Sequence, residues 1–233
     1  MSVSELLIVG AGGFARETAH AVAALNAVRP AWRLLGFLDD DPLLRGRRVD
    51  GLPVLGGTDL AQSLTGAQVL VCVGNPRNYF ARARIVERLA LPADRYATII
   101  HPSADVCADA SIGPGTVLLA QAVLTAAVTV GAHVAVMPHA VLTHDVTIDD
   151  FATIASGVRF GGGSSVARGA YLGSGALIRE QVEIGAWAQV GMGSVVLGDV
   201  PGGQVWVGNP ARRLRDVEGL AAFGDSTSNG RLA

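Results

Sequence analysis

The 233-residue chain is rich in apolar residues and poor in charge: 50% of its residues are hydrophobic, 16% are charged and only 5% are aromatic. All 18 lysine-plus-arginine residues are arginine, which excludes chemistry that needs lysine, such as a Schiff base or a P-loop phosphate site. A formal net charge of −2 argues against nucleic acid as a partner, because phosphate backbones require clustered cations.

Cysteine usage and hydropathy favour an intracellular, water-soluble protein. Cys72 and Cys107 are too few for a disulfide framework, and neither lies in a metal-binding pair. The N-terminus lacks the basic and apolar regions of a secretory signal, and no run reaches the ~18 uninterrupted apolar residues of a membrane span. We therefore expect a cytoplasmic location and no membrane partner.

Residues 1–98 alternate between strand-like and helix-like patterns. Short apolar runs predict strands at 5–9, 34–38 and 69–73, and amphipathic runs predict helices at 14–27 and 79–89. Such alternation is typical of a small parallel sheet covered by helices, an α/β Rossmann-like domain.

Three polar or flexible positions follow the predicted strands. Gly12 follows the first strand, Asp39 the second and Gly74 the third. Ligands of parallel α/β sheets bind beyond the carboxyl ends of the strands. The topology therefore predicts that Gly12, Asp39 and Gly74 lie at one ligand site.

From residue 106 onward, an aliphatic or aromatic residue recurs at every sixth position without a break. These residues are Val106, Ile112, Leu118, Leu124, Val130, Val136, Leu142, Ile148, Ile154, Phe160, Val166, Leu172, Ile178, Ile184, Val190 and Val196. A fixed period of this kind indicates a solenoid built by stacking identical units.

The repeat predicts a triangular prism in which three hexapeptides form one coil of 18 residues. The fourth residue after each aliphatic position is small or β-branched, from Ala110 to Val200, and we expect it to fill the space behind its neighbour. Glycine often follows the aliphatic position, where a tight turn favours a small residue; examples are Gly113, Gly131, Gly161, Gly173, Gly185 and Gly191.

Histidine offers the best candidate for acid–base chemistry. His20 and His101 are interpreted as structural or solvent-facing, whereas His133, His139 and His144 lie off the core positions of the solenoid. Asp145 follows His144 directly and can stabilise its protonated form. A neutral imidazole is the best available proton acceptor near physiological pH, so His144 is the leading candidate base.

Four stretches together are similar to a known family. They are IVGAGGFARE at 8–17, FLDD at 37–40, LTHD at 142–145 within the hexapeptides, and VWVGNPAR at 205–212. In this order, and over residues 5–215, the chain resembles the bacterial sugar acyltransferases of the PglD/NeuD type.

The resemblance implies the fold and the assembly. It implies a Rossmann-like sugar-nucleotide-binding domain at 1–98, a left-handed parallel β-helix acetyltransferase domain at 99–215, and an irregular tail at 216–233. It further implies a homotrimer with acetyl-CoA in the groove between neighbouring solenoids, and no metal. Periodicity alone does not supply the left-handedness, which breaks the usual crossover rule.

The resemblance also implies roles for individual residues. His144 matches the general base and Asp145 its acidic neighbour. The positions that match the sugar-nucleotide site are Gly12, Gly13, Phe14, Asp39, Asp40 and Gly74, and those that match CoA contacts are Thr153, Ser174 and Met192. The chain departs from the family pattern twice, because Phe14 and Thr153 stand where histidine occurs in the family.

The implied reaction is direct transfer of an acetyl group from acetyl-CoA to a nucleotide-linked amino sugar, with His144 taking a proton from the attacking amine. O-acetylation of a sialic-acid-type sugar would use the same base and remains an alternative. The amine is the better nucleophile, so N-transfer is preferred. UDP, dTDP and GDP carriers are not distinguished.

Three other readings are open. Gly10-Ala11-Gly12-Gly13 loosely matches a dinucleotide fingerprint, which would suggest an oxidoreductase, but a solenoid has no role in hydride transfer. His139 and His144 have a spacing found in zinc hydrases on this type of solenoid, although Ser103 occupies the place of a third ligand. The last is a trimeric scaffold that binds a sugar nucleotide without turnover.

Overall fold

The structure, a computed structural model, describes residues 3–220. Its N-terminal part is a sheet covered by helices, with the elements β1 (Ser4–Val9), α1 (Gly13–Val28), β2 (Trp32–Leu38), β3 (Arg48–Val49), β4 (Leu52–Gly56), α2 (Leu60–Ser63), β5 (Gln68–Val71), α3 (Ala81–Leu89) and a short 3-10 helix (Ala93–Arg95). The strand order is β3-β4-β2-β1-β5; β3 pairs antiparallel with β4, and the other pairings are parallel.

Alternate residues of the central strands are buried on opposite faces of this sheet. In β1, Leu6 and Ile8 pack on the side of α1, whereas Leu7 and Val9 pack on the opposite side. The predicted strands and helices are all present with small shifts of their ends. The sequence analysis did not predict β3, β4 or α2.

The solenoid has three faces built from two-residue strands. The first face contains β6 (Ile99–Ile100), β9 (Val117–Leu118), β12 (Ala135–Val136), β15 (Thr153–Ile154), β18 (Tyr171–Leu172), β21 (Gln189–Val190) and the longer β23 (Gln204–Gly208). The second contains β7 (Asp105–Val106), β10 (Val123–Leu124), β13 (Val141–Leu142), β16 (Arg159–Phe160), β19 (Leu177–Ile178) and β22 (Val195–Val196). The third contains β8 (Ser111–Ile112), β11 (Thr129–Val130), β14 (Thr147–Ile148), β17 (Ser165–Val166) and β20 (Glu183–Ile184). The final strand, β24 (Ala211–Asp216), pairs antiparallel with β23.

The repeat positions form the solenoid core, as predicted. Every sixth residue from Leu118 to Val196 is buried in one cluster, and the small residues four positions on are buried with them. Val106 and Ile112 are only partly buried, because their strands belong to the first coil and have a neighbouring coil on one side only.

The chain turns at three corners: the first corner joins the first and second faces, the second corner joins the second and third, and the third corner joins the third and first. Every sixth residue from 115 to 193 has a positive φ at one of these corners. Glycine occupies only some of these positions; the others are Gln121, Ala127, His133, His139, Asp145, Phe151, Gln181 and Trp187.

The glycines that follow the aliphatic positions are needed for a different reason from the one predicted. The positive φ lies two residues further on, and these glycines instead face the next coil: most face its backbone, and Gly191 faces the side chain of Val207. A Cβ at Gly161 would lie 2.5 Å from the amide nitrogen of Glu180, and one at Gly173 would lie 2.5 Å from that of Met192. Close coil stacking therefore requires glycine there.

The N-terminal sheet domain covers the first face and the third corner. Phe14 and Ala21 of α1 share a core cluster with Val117 and Ala135 of the first face. At the third corner, Trp187 packs against aromatic residues that precede α3. The predicted irregular tail, 216–233, starts at the last residue of β24 and lies outside the described residues from 221 onward.

Candidate active site

The loops that follow β1, β2 and β5 meet at one edge of the sheet, as the topology predicted. Oδ2 of Asp39 accepts a hydrogen bond of 2.8 Å from the backbone N–H of Ala11, so the residue after β2 holds the glycine-rich loop after β1. A Cβ at Gly74 would lie 3.5 Å from the ring of Phe14. The structure therefore brings together Gly12, Asp39 and Gly74 through their loops.

Asp40 is held by neighbouring groups of the protein. Its carboxylate accepts hydrogen bonds from the backbone N–H and the hydroxyl of Thr58, at 2.8 and 3.0 Å, and forms an ion pair with Arg88 at 2.8 Å. Partial burial raises the pKa of Asp40, but the bonds from Thr58 and Arg88 outweigh it and the net pKa is lowered. Asp40 is thus a fixed anion beside a cavity of about 190 Å³ that Gly10 and Asp39 also line.

His144 and Asp145 form the predicted pair. Nδ1 of His144 lies 2.8 Å from Oδ2 of Asp145. A carboxylate only accepts hydrogen bonds, so in the neutral imidazole Nδ1 carries the proton and Nε2 has the lone pair. The side chains are 67% and 65% exposed, so Nε2 is accessible to a reactant.

Two backbone features position this pair at the second corner. Asp145 has a φ of +61°, a conformation that aspartate tolerates better than most residues. The imidazole of His144 lies over Gly162 of the next coil, where a Cβ would come within 2.3 Å of Nε2. Gly162 therefore makes room for the imidazole, a role that the sequence analysis missed.

A cavity of about 150 Å³ at the first corner joins residues from both domains. Its lining includes Phe14 and Gly74, predicted for the sugar nucleotide, and Thr153 and Ser174, predicted for CoA. Met192 is 79% exposed and lies one coil beyond Ser174. Arg82, Ser156 and Tyr171 also line this cavity and were not predicted from the sequence.

A larger cavity of about 460 Å³ lies along the flank of α1 at the same corner. It is lined by Gly13, by Ala120 and Pro138 of the solenoid, and by His20 and His101. Burial, followed by the nearby His20, lowers the pKa of His101. The first corner thus carries two cavities, one above the other along the prism.

The structure does not bring His144 to these cavities within one chain. His144 follows β13 of the second face and precedes β14 of the third, so it lies at the second corner. Ser174 lies between β18 of the first face and β19 of the second, at the first corner. The whole second face separates the candidate base from the predicted CoA contacts.

The histidines considered for zinc are also at different corners, since His139 follows the first face and His144 the second. Within residues 3–220, no three His, Cys, Asp or Glu side chains come together as a possible metal site. No helix in that range is long and apolar enough to cross a bilayer.

Comparison with known proteins gives relatives for the whole architecture. Residues 5–89 match the PglD N-terminal domain family model. GDP-perosamine N-acetyltransferase of Escherichia coli O157:H7 is 31% identical over 215 residues, which cover 89% of this chain and 95% of that protein. The chain belongs to the PglD/NeuD-type sugar acyltransferases.

Solved structures agree with this membership. The acetyltransferase domain of PglB from Neisseria gonorrhoeae, in complex with acetyl coenzyme A, matches with a TM-score of 0.81 and 32% identity, covering 91% of this chain and all of that one. A histidine-to-asparagine variant of perosamine N-acetyltransferase from Caulobacter crescentus, in complex with CoA and GDP-perosamine, matches with a TM-score of 0.79 and 26% identity over 92% and 99% of the chains. The predicted family, fold class and enzyme class are confirmed.

Proposed function

We propose that this protein transfers the acetyl group of acetyl-CoA to the amine of a nucleotide-linked amino sugar, with His144 as general base. The observation that carries the proposal is the pairing of His144 Nδ1 with Asp145, which leaves Nε2 available, in a chain that is similar along its length to N-acetyltransferases of nucleotide amino sugars. Because those relatives are named N-acetyltransferases, N-transfer is favoured over O-transfer.

The proposed step balances without a metal or redox partner. The amine nitrogen adds to the thioester carbonyl carbon while Nε2 of His144 removes a proton from that nitrogen. Asp145 stabilises the resulting imidazolium through Nδ1–H. When the tetrahedral intermediate collapses, the carbon–sulfur bond breaks and the imidazolium returns its proton to the sulfur, giving an amide and CoA.

Self-association as a trimer would complete the site. The outward positions of the second face are mostly apolar, whereas those of the third face are mostly polar. The second face presents Val123, Val141, Leu177 and Val195 together with the charged Asp105 and Arg159, and the third presents Ser111, Thr129, Thr147, Ser165 and Glu183. Apolar surface gains most from being covered, so the second face is the candidate contact surface between copies.

The position of His144 along the prism supports this arrangement. In a trimer whose three-fold axis runs parallel to the solenoids, equivalent residues lie at equal heights. His144 belongs to the coil that begins at Val136, so a neighbour's His144 would lie level with Pro138 and Ser156 at the first corner. Pro138 lines the larger cavity and Ser156 the smaller one, so the base would stand between them.

The test is acetyl-CoA turnover with a panel of GDP-, UDP- and dTDP-linked 4-amino sugars, measured as release of free CoA thiol. We expect one carrier to support turnover and His144→Gln to reduce kcat about 10²–10⁴-fold without loss of folded structure. Turnover that is unchanged in His144→Gln would remove His144 from the mechanism. Nucleotide-sugar binding without turnover by any panel member would favour the scaffold reading.

A further inference from the structure

Arg82 is a buried cation between the two domains. It is the second residue of α3, and only 2% of it is exposed. Nη2 donates hydrogen bonds to the carbonyl oxygens of Phe151 and Ala152, at 2.8 and 3.0 Å, and to the hydroxyl of Thr153 at 2.8 Å. Nη1 makes a long contact of 3.4 Å with the carbonyl oxygen of Val73.

These partners are all neutral, so the charge of Arg82 is not compensated. Within residues 3–220 no ion pair involves Arg82, and its buried Nε has no hydrogen-bond partner. Burial lowers the pKa of Arg82 to about 10, which still leaves the guanidinium charged at neutral pH. Its place in the first turn of α3 adds to the electrostatic cost of this charge, because a helix N-terminus repels cations.

An unpaired buried cation is unfavourable unless something supplies the opposite charge. Arg82 lines the cavity of about 150 Å³ that also contains Phe14, Gly74 and Ser174. This cavity adjoins the N-terminus of α1, where the N-cap residue Gly12 provides no side-chain hydrogen bond and the first turn contains no acidic residue. Uncapped helix amides and a buried guanidinium both favour an anion.

We propose that this cavity binds a diphosphate group and that Arg82 supplies the charge that attracts it. The proposal rests on the proposed function, because both co-substrates of that reaction carry a diphosphate. Phe14 and Gly74 lie at the carboxyl ends of the sheet strands, where α/β domains bind nucleotides, so the diphosphate is assigned to the sugar nucleotide. The hydroxyls of Thr153 and Ser174 provide further donors for phosphate oxygens.

The charge of Arg82 acts mainly through space. Its Nε is covered, and Nη2 is occupied by the solenoid carbonyls, which fix the guanidinium in place. Because the Arg82 side chain is itself buried, its charge is only weakly screened by solvent. Arg82 is therefore a binding determinant for the diphosphate that does not require a direct hydrogen bond from Nε.

The test is calorimetric binding of guanosine, GDP, uridine, UDP, inorganic diphosphate and CoA to the intact protein and three variants. Arg82→Gln removes the charge, Arg82→Lys retains it, and Arg84→Gln removes an exposed charge from the same helix as the matched control. We expect Arg82→Gln to raise the Kd of the diphosphates about 10- to 100-fold and the Kd of the nucleosides by less than about threefold. For the diphosphates, the Kd of Arg82→Lys should stay within about fivefold of the parent value, and the Kd of Arg84→Gln within about twofold.

The comparison of nucleosides with their diphosphates separates charge from structural damage. If Arg82→Gln loses as much affinity for guanosine as for GDP, the proposal is overturned and Arg82 is left as an inter-domain contact. The same follows if the variant keeps its affinity for GDP, UDP and CoA. A loss of affinity for CoA alone would overturn the assignment to the sugar nucleotide, because the diphosphate affected would be that of the acyl donor. Binding needs no turnover, so these results stand whether or not acetyl transfer is observed.

Discussion

His133 should make this protein sensitive to mild acid. The residue lies at the third corner with only 6% of its surface exposed, stacked on Phe151 at 5.1 Å and edge-on to Tyr96 of the N-terminal part at 4.5 Å. Its Nδ1 has no hydrogen-bond partner among the described residues. Burial and the nearby Arg82 and Arg168 lower the pKa of His133 to about 4, although Asp150 acts in the opposite direction.

The pKa shift sets both the size and the pH range of the effect. The folded protein keeps His133 neutral, whereas the unfolded chain binds a proton below its ordinary pKa of 6.5. The contribution of neutral His133 to the free energy of unfolding is fully present above about pH 6.5. It falls as the pH is lowered and levels off below about pH 4. A shift from 6.5 to about 4 corresponds to a loss of about 3 kcal/mol in the free energy of unfolding.

The measurement is urea unfolding between pH 7 and pH 4 at a fixed protein concentration, for the parent and His133→Asn. Asparagine tolerates the positive φ of +56° at this corner and does not titrate. The variant loses packing, so the pH dependence is compared and not the absolute stability. His139→Asn, at an exposed corner with a φ of +63°, is the matched control. Parallel loss of stability in the parent and His133→Asn would refute the argument.

Three further outcomes concern the candidate base and the contact surface. Gly162→Ala should displace the imidazole of His144 and lower kcat about 10- to 100-fold. Gly198→Ala is the control and should leave kcat unchanged, because a Cβ there meets nothing within 4 Å. Asp145→Asn should lower kcat by only about tenfold, since the attraction between two exposed groups is weak. Leu177→Arg should reduce the mass measured by light scattering from trimer to monomer if the second face is the contact surface.

The repeat made much of the fold predictable because one physical rule applies at every coil. A residue that points to the axis must be apolar in each hexapeptide, so the phase of Leu118 also predicts the burial of Leu172 and Val190. Strand ends were likewise predictable, since parallel β1 and β2 place Asp39 beside the loop at Ala11. Both predictions depend on local patterns that the sequence displays directly.

Features that depend on how the domains dock were not predictable. Arg82 reads in the sequence as one of several arginines on an amphipathic helix, and its isolation becomes visible only when α3 packs against Phe151 and Thr153. The separation of His144 from Ser174, by contrast, follows from the repeat, because the 30 positions between them are not a whole number of 18-residue coils. Which corner carries the cavities depends on where the sheet domain docks. The assigned roles of the site residues stay predictions.

The corners show how one backbone conformation serves different purposes. The third corner carries large rings that dock the sheet domain, and glycines beneath two of them make room: a Cβ at Gly115 would clash with His133, and one at Gly169 with Trp187. The upper part of the first corner instead has no side chain at its positive-φ positions, which are Gly157, Gly175 and Gly193. The conformation alone does not demand glycine, because alanine, glutamine, aspartate and aromatic residues adopt it at other corner positions, and a Cβ at Gly175 or Gly193 would touch nothing. The absence of side chains there keeps a strip of surface clear beside Ser174 and Met192, and this is consistent with the predicted CoA contacts at those two residues.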